Sequence, residues 1–389
     1  MLEFISAGGL GEAAWAEPAG AAGEPLLAQG VRMRDALLGE LSALPGLEIS
    51  VADAGLAPLP AHPPMHPPMH PPMHAPMHAP TAAVQRLSTA AVADLAAWLG
   101  AREAAFDLLW VIAPETDGCL LTLCEAVAPA RWVGCRADAI RVASSKTRTR
   151  ERLAAHGVPV PAAWAPGLPA PTRPGRWVLK PDDGAGSEHT RVFADFAAAR
   201  AALAAACATD GSGETQPGAD LAPRWTLEAW VEGEALSLSL LCAAGRVEVL
   251  SVNRQRLTLA ADGQLGYAGV DTAVEPVTPA LRDLAERCTA AVPGLAGFVG
   301  IDLVRQPDGR LCVIEINPRL TCAYAGLVGA ALERTDERSR ARRSPSPCSP
   351  TGRTQTSHLR NLAAAIIAAH DGTLATHAID TADATPEPS

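Results

Sequence analysis

Leu311-Cys312-Val313-Ile314-Glu315-Ile316-Asn317-Pro318-Arg319 reads as a short buried strand: β-branched residues run up to Glu315, and Pro318 stops the ladder. Glu315 and Asn317 are two apart, so on a strand a carboxylate and an amide leave the same face. Asp302 lies thirteen residues before Glu315, inside a second apolar run, Gly297-Phe298-Val299-Gly300-Ile301-Asp302-Leu303-Val304. Between the runs, Gln306-Pro307-Asp308-Gly309-Arg310 is turn chemistry, which predicts an antiparallel hairpin with Asp302 beside Glu315 and Asn317. Three hard oxygen ligands on rigid backbone suit Mg²⁺, which takes a few protein oxygens plus water and phosphate. The alternative is a hairpin whose acids face solvent, but acids inside such apolar runs are unusual.

The chain has 389 residues, enough for two or three domains, and is 48% hydrophobic, a globular composition. Its net charge of -10 argues against a general nucleic-acid binder. No apolar run reaches membrane-spanning length, and the N-terminus lacks a basic-then-apolar signal pattern, so no membrane partner is expected. Nine cysteines, an odd count without a CxxC pair, look like buried thiols of a reducing compartment; a cytoplasmic location is the expectation.

At the N-terminus, Leu2–Ser6 reads as a strand, Gly30 to Leu44 as a helix and Leu47–Val51 as a second strand, a β-α-β unit that predicts a parallel sheet. Residues 61–80 are low complexity, with His62, His66, His70, His74 and His78 every four residues among Pro and Met. Proline at this density forces an extended, three-residue-per-turn chain on which successive histidines share no face. The tract reads as a flexible insert, with binding of a soft metal as the alternative. Apolar spacing over 84–100 predicts a helix, and Phe106–Ala113 a buried strand. Glu115 and Asp117 follow at that strand's carboxyl end, where open α/β sheets bind ligands; capping of the next helix, Leu120–Val127, is the other reading.

Ser144-Ser145-Lys146 opens a helix that runs to Gly157. Lys146 in the first turn works against the helix dipole, which a phosphate shared with the helix terminus would explain. Gly175–Pro181 is a strand bearing Lys180. The small-residue loop Asp182–Thr190, with Gly184, Gly186 and Ser187, can close backbone N–H groups on phosphate, or be an ordinary hairpin turn. Strands follow at Trp225–Glu234, Leu236–Leu241 and Val247–Arg256; Arg254 and Arg256 share a face, to hold an anion or to be solvated. A helix at Pro279–Val292 leads into the metal hairpin. Residues 333–357, with Arg338, Arg340, Arg342 and Arg343 among Ser, Pro and Thr, read as a disordered basic insert, and Leu359–His370 as a final helix.

The order of these parts resembles the ATP-grasp superfamily of carboxylate–amine ligases from about Ile140 to Leu327. A lysine opens a helix before a Val-Pro-x-Pro segment, and a second lysine ends a strand before a glycine loop. A Glu-x-x-Val-x-Gly linker follows, then Asp302, then Glu315-x-Asn317. Ile112–Gly118, Ser251–Gln255 and Asn317–Thr321 further resemble the tyramine–L-glutamate ligase branch of methanofuran biosynthesis, part of C1 metabolism. The resemblance implies an α/β Rossmann-like N-terminal domain (1–60 and 81–141) ahead of a two-subdomain α+β ATP-grasp fold. The smaller subdomain would be 142–230, and the C-terminal subdomain 231–332 with 358–380.

It implies ATP as cofactor, with Mg²⁺ or in its place Mn²⁺. Lys146 and Lys180, with the loop Gly184, Gly186 and Ser187, would hold the phosphates, and Glu228, Ala229, Trp230 and Val231 would form the adenine hinge. Asp302, Glu315 and Asn317 would hold two metal ions, and Arg319 would stabilise the transferred phosphoryl group. Where many members carry a ribose-binding Glu this chain has Ala235, with Glu234 as the substitute. Gly300 stands where some members place an arginine, a charge role left to Arg254. Arg254, Tyr267, Thr321 and Tyr324 are candidate substrate walls, each equally readable as packing, and Glu115 is a further substrate candidate.

The implied reaction is amide formation through an acyl phosphate, with L-glutamate and an amine such as tyramine as substrates. The loop Asp182–Thr190 would exclude water. The alternatives are an ATP-grasp ligase for another amino acid and amine, a phosphotransferase acting on a hydroxyl, and a non-catalytic nucleotide- or metal-binding protein. A homo-oligomer is compatible with the sequence, which does not specify the state.

Overall fold

The computed structural model describes residues 1–10, 23–60, 84–172, 174–184, 187, 189–209, 224–341 and 361–370. Leu2–Glu3 (β1) pairs in parallel with Ile49–Asp53 (β2) on one side and Leu109–Ile112 (β4) on the other. Val84–Ser88 (β3) and Trp132–Val133 (β5) complete a parallel sheet of order β3-β2-β1-β4-β5. All four residues of β4 are buried, as a central parallel strand requires. Helices Gly23–Ser42 (α1), Leu95–Gly100 (α2) and Cys119–Glu125 (α3) make the crossovers. Strand order reverses between β1 and β4, and the crevice beyond their carboxyl ends is where such sheets take ligands.

Two expectations change in this domain. Helix α1 begins at Gly23, seven residues before the anticipated start. The segment 84–100 is not one helix: its first part is strand β3, paired residue by residue with β2. Helix α2 begins only at Leu95, where the Asp94 carboxylate accepts from the Ala97 N–H at 2.9 Å. The three-residue spacing of Val84 and Leu87 fits either structure. The open edge of β2 decides, because its backbone groups need partners.

Helices Ala137–Ala143 (α4) and Lys146–Ala155 (α5) follow. Ala163–Trp164 (β6), Trp177–Pro181 (β7), Arg191–Phe193 (β8) and Trp225–Ala229 (β9) form a four-stranded antiparallel sheet, order β6-β9-β7-β8. It is backed by Phe196–Thr209 (α6), with Trp177, Leu179, Ala199, Leu203 and Leu227 as a separate small core.

Glu234–Ala243 (β10), Arg246–Leu259 (β11), Leu265–Glu275 (β12), Gly297–Arg305 (β13) and Leu311–Asn317 (β14) form a five-stranded antiparallel sheet, order β12-β11-β10-β13-β14. β12 is not anticipated from sequence: Gly and Ala dilute its apolar alternation, and its pairing with β11 is broken by two register shifts. Pro279–Ala291 (α7) packs behind this sheet, capped by the Thr278 hydroxyl, which accepts from the Leu281 N–H at 3.4 Å. Leu153 of α5 and the following Val158 sit in the core shared by α7, β10 and β13. The helix that opens with Lys146 is therefore packed on the larger sheet, although it precedes the smaller one in sequence.

Cys322–Ala341 (α8) runs nine residues into the stretch read as a disordered insert, so that boundary moves to 341; residues 342–357 lie outside the described residues, as does the His/Pro/Met tract at 61–80. Leu362–His370 (α9) is the expected last helix. No described helix is long and apolar enough to cross a membrane, and the eight described cysteines are free thiols.

Glu40 of α1 ties the C-terminal helices to the N-terminal domain. It accepts from the N–H groups of Leu362 (2.8 Å) and Ala363 (3.0 Å), and from the Tyr324 hydroxyl at 2.5 Å. One carboxylate thus caps α9 and anchors α8. Glu40→Ala is expected to lower unfolding stability by about 2–3 kcal/mol, as charge-assisted bonds and a cap are lost together. Urea denaturation checks this, and an unmoved midpoint would show that α9 is held by its apolar face alone.

Candidate active site

A cavity of about 580 Å³ opens between the three sheets, lined by the ends of β1 and β4, the inner faces of β7 and β9, and β10 to β14. Its floor is the hairpin. β13 and β14 pair antiparallel with Asp302 directly opposite Glu315 and Gly300 opposite Asn317. The Asn317 amide donates to Asp302 Oδ2 at 3.2 Å. All three side chains reach the cavity wall.

Burial is the main cause pushing the Asp302 carboxyl far above the usual range, and the neighbouring Glu315 charge adds to it. Burial acts on Glu315 too, but Lys146 and Lys180 outweigh it and hold Glu315 below the usual range. The two carboxyls are thus pushed in opposite directions. Two carboxylates forced together in a water-poor wall are the arrangement that a divalent cation relieves, and the amide completes an oxygen-rich set. The residues present thus fit Mg²⁺. Among the described residues no group of three or more His, Cys, Asp or Glu converges as a metal cage.

Lysines face this floor. Lys146 is the first residue of α5, and its Nζ lies 3.7 Å from Glu315 Oε2 and 3.2 Å from the Gly184 carbonyl. The expected phosphate at the helix N-terminus is corrected by the structure, because that terminus is already filled. Asp182 accepts from Thr147 N–H at 2.9 Å through Oδ1 and from Lys146 N–H at 2.8 Å through its carbonyl, while Ser145 Oγ takes Arg148 N–H at 3.1 Å. Asp182 supplies the negative charge the dipole favours, so the Lys146 ammonium alone is free to point into the cavity.

Lys180 on β7 is 5% exposed and pairs with Glu228 of β9 at 2.8 Å. Val178 is the cross-strand partner of Glu228, so strand alternation puts Lys180 and Glu228 on one face. Glu228 also faces Arg150 at 3.5 Å. Ala229, Trp230 and Val231 line the cavity beside it, and Arg176 stacks over Trp230 at 4.9 Å. Gly184 (φ 111°) and Ser187 (φ 63°) also line the wall, and their positive φ values are those of a tight loop. Gly186 lies outside the described residues. The loop touches the N-terminal domain, since Asp183 Oδ2 accepts from the Asp117 N–H at 2.8 Å.

Arg319 reaches the wall and is gripped from behind. Its Nη2 and Nε donate to Glu115 Oε2 at 2.8 and 3.0 Å. Glu115 is therefore neither a helix cap nor a cavity wall: it is 4% exposed, and α3 is capped by Gly118 with no side-chain bond. The other oxygen, Glu115 Oε1, is buried without a partner. Burial opposes the charge on Arg319, but Glu115 more than compensates and raises its pKa.

Three further candidates are displaced. Arg254 and Glu234 face away from the cavity and pair with each other at 2.7 Å, and Glu234 also binds Arg305 at 2.6 Å. Arg254 is registered with Leu236, and Glu234 has the same parity; the cavity takes the odd residues Ala235 and Ser237. Gly300 has no room for an arginine: a Cβ there would stand 2.7 Å from Thr321 Cγ2. Tyr324 is fully buried, edge-to-face with Phe298 at 5.5 Å, and belongs to the core. Tyr267 and Thr321 do line the cavity, and burial raises the Tyr267 pKa well above the usual phenol value.

Sequence reasoning missed Gln255, Arg176 and Glu3, which all line the cavity. For Gln255 a signal existed: it shares parity with Asn253, whose hairpin partner is Ser237. The conspicuous charges of Arg254 and Arg256 obscured it. Gln255 faces Asp302 across the cavity wall and counters its upward shift. Below, Asn253 is fully buried, donating to Ser239 at 3.0 Å and accepting from Ser251 at 2.9 Å, a satisfied polar layer under the floor.

Residues 143–323 match the family profile described as ATP-grasp domain, and residues 71–140 the one described as pre ATP-grasp 3 domain. No curated protein matches the sequence. Among solved structures, an Archaeoglobus fulgidus protein assigned to the ATP-grasp superfamily is similar at 23% identity and TM-score 0.44, over 64% of this chain and 70% of that one. L-amino acid ligase from Bacillus licheniformis aligns at 18% identity and TM-score 0.47, over 64% of this chain and 59% of that one. D-alanine–D-alanine ligase from Bacillus anthracis, complexed with ATP, aligns at 14% and 0.48, over 75% and 87%. The match over 71–140 takes in β3, β4 and β5 of the parallel sheet and the match over 143–323 both antiparallel sheets, so the chain has an α/β fold in which residues 143–323 match an ATP-grasp domain.

Proposed function

We propose that the protein is an ATP-dependent carboxylate–amine ligase that forms ADP. The observation that carries the reading is the convergence, in one cavity, of Asp302, Glu315 and Asn317 with Lys146, Lys180 and Arg319. A carboxylate is a poor electrophile. Its oxygen attacks the γ-phosphorus of ATP, ADP leaves, and an acyl phosphate results. A neutral amine then attacks the acyl carbon, phosphate leaves, and the nitrogen loses a proton to give the amide.

Phosphoryl transfer needs charge neutralisation and alignment more than covalent help. Lys180 and Lys146 supply fixed positive charge, with Lys180 oriented by Glu228 and Lys146 by the Gly184 carbonyl. Arg319, held by Glu115, faces the transferred group. Glu228 to Val231 would seat the adenine, with Arg176 stacking on Trp230. Asp302, Glu315 and Asn317 would hold Mg²⁺, or Mn²⁺ in its place; the ion supplies charge neutralisation on the phosphate oxygens. Asp183 and Gly184, docked on the Thr116–Asp117 turn, shield the site from water.

The finer reading joins the γ-carboxyl of L-glutamate to tyramine. It is supported by the likeness of Ile112–Gly118, Ser251–Gln255 and Asn317–Thr321 to that ligase branch. The test is ADP release by purified protein with ATP, Mg²⁺, L-glutamate and a panel of amines, with products read by mass. Release that needs both substrates and yields the γ-glutamyl amide is expected. Release with glutamate and a different amine would redirect the substrate, and a stable phosphorylated product without amide would refute the ligase reading.

A further inference from the structure

The N-terminal end of the cavity carries a group that the phosphoryl chemistry leaves unused. Glu3 ends β1, is 2% exposed, and still contributes to the cavity wall. Around it the wall is apolar, with Ile5, Leu26 and Met33, and Gln29 is the other polar neighbour. Among the described lining residues of the N-terminal domain, Glu3 is the one charged side chain.

Its carboxylate is fixed in direction. Oε1 accepts from the Ile5 N–H at 3.1 Å and Oε2 from the Ser6 N–H at 2.7 Å. Each oxygen keeps acceptor capacity beyond those bonds. Burial raises the carboxyl pKa; the Ser6 and Ile5 groups and the Arg34 charge only partly offset it. A buried acid in that condition gains from one more positive partner. Helix α1 makes space for the carboxylate, since a Cβ at Gly30 would stand 2.5 Å from Glu3 Oε1. Gly30 lines the cavity as well.

We propose that Glu3 anchors a substrate ammonium group, with Ile5, Leu26 and Met33 against that substrate's hydrocarbon body. The proposal rests on the ligase reading for one point only: the ammonium belongs either to the amine co-substrate or to the α-position of the amino acid whose carboxylate is activated. Both sources present the same chemistry to Glu3. The neutral amine that attacks the acyl carbon would arise by proton transfer from the bound ammonium, and among the described lining residues of the N-terminal domain Glu3 is the one carboxylate to take it.

The test is calorimetric binding to the full-length protein, free of any turnover. Tyramine is compared with 4-ethylphenol, and L-glutamate with glutarate; each second compound lacks the ammonium group. In the wild type one member of a pair should bind roughly tenfold or more tightly than its partner, the effect of a charge-assisted bond. Glu3→Gln and Gly30→Ala should each remove that preference; the pair that shows it identifies the source. Gly30→Ala crowds the carboxylate from the helix side while keeping the acid, and a melting curve on each variant shows which are folded, so that the preference is read on folded protein. No ammonium preference in either pair, or a preference that both variants keep, overturns the proposal. ADP release measured alongside separates the two readings. Turnover without Glu3-dependent preference sinks the anchor and leaves the ligase, and Glu3-dependent binding without ADP does the reverse.

Discussion

Asp302→Asn is expected to abolish the rise in melting temperature that Mg²⁺ produces, and to reduce ATP-dependent turnover by on the order of a thousandfold, without weakening the metal-free protein. The last clause is the unusual one. Asp302 is half-buried opposite Glu315, and desolvation with that neighbouring charge holds its carboxyl well above the usual range. An acid whose folded pKa exceeds its unfolded value costs stability as pH rises above the unfolded value, because only the unfolded chain then releases the proton. Asparagine removes that cost at neutral pH and can still bond the Asn317 amide. With no carboxylate pair left, a cation gains little from the site. In the wild type, saturation at about a hundred times the dissociation constant stabilises by about 2.7 kcal/mol. A thermal titration with Mg²⁺, run with and without nucleotide, reads the difference. An undiminished Mg²⁺ shift in Asp302→Asn would place the ion elsewhere and remove the main support for phosphoryl transfer here.

Arg319→Met is expected to lower turnover by on the order of a thousandfold or more, the scale of removing an arginine from a phosphoryl-transfer site. It should also destabilise the fold by about 3–5 kcal/mol, because it strands a buried carboxylate. Glu115 already has one oxygen without a partner, and its other oxygen takes both bonds from Arg319. The second substitution separates the two effects. Glu115→Gln with Arg319→Met should recover most of the stability and none of the turnover. Denaturation midpoints and kcat across this double-mutant cycle check it. Equal activity in the single and double variants alongside wild-type turnover would show that Arg319 only ties the domains together. The pair spans 204 positions in sequence and joins the end of β4 to the end of β14. One ion pair thus sets both the aim of Arg319 and the contact between the parallel sheet and the β13–β14 hairpin.

The hairpin was legible because strand alternation and turn chemistry act over a few residues. Glu315 and Asn317 had to share a face, and a turn at Pro307–Gly309 had to return Asp302 beside them. The start of α5 was equally local, with Ser145 as cap and Gly157 as stop (φ 70°). Strand β12 was hidden, since its residues alternate weakly and its pairing with β11 is irregular. The 84–100 segment misled for a related reason: five residues of apolar spacing cannot outvote an unpaired strand edge waiting for them.

Local periodicity and turn residues by themselves determined the hairpin that sets Asp302 beside Glu315, the lysine-headed helix and the alternation of strands and helices that makes the N-terminal sheet parallel. Tertiary structure alone decided which charges reach the cavity. Arg319 does and Arg254 does not, because register with β10 turns Arg254 to the outer face. Asp182 fills the helix terminus that a phosphate was expected to occupy, and Glu3 and Glu115 come to the site only where the end of the parallel sheet meets the antiparallel one. The physical reason is range: backbone periodicity is written within a few residues, whereas the partner of a buried charge is chosen by whichever distant element closes over it.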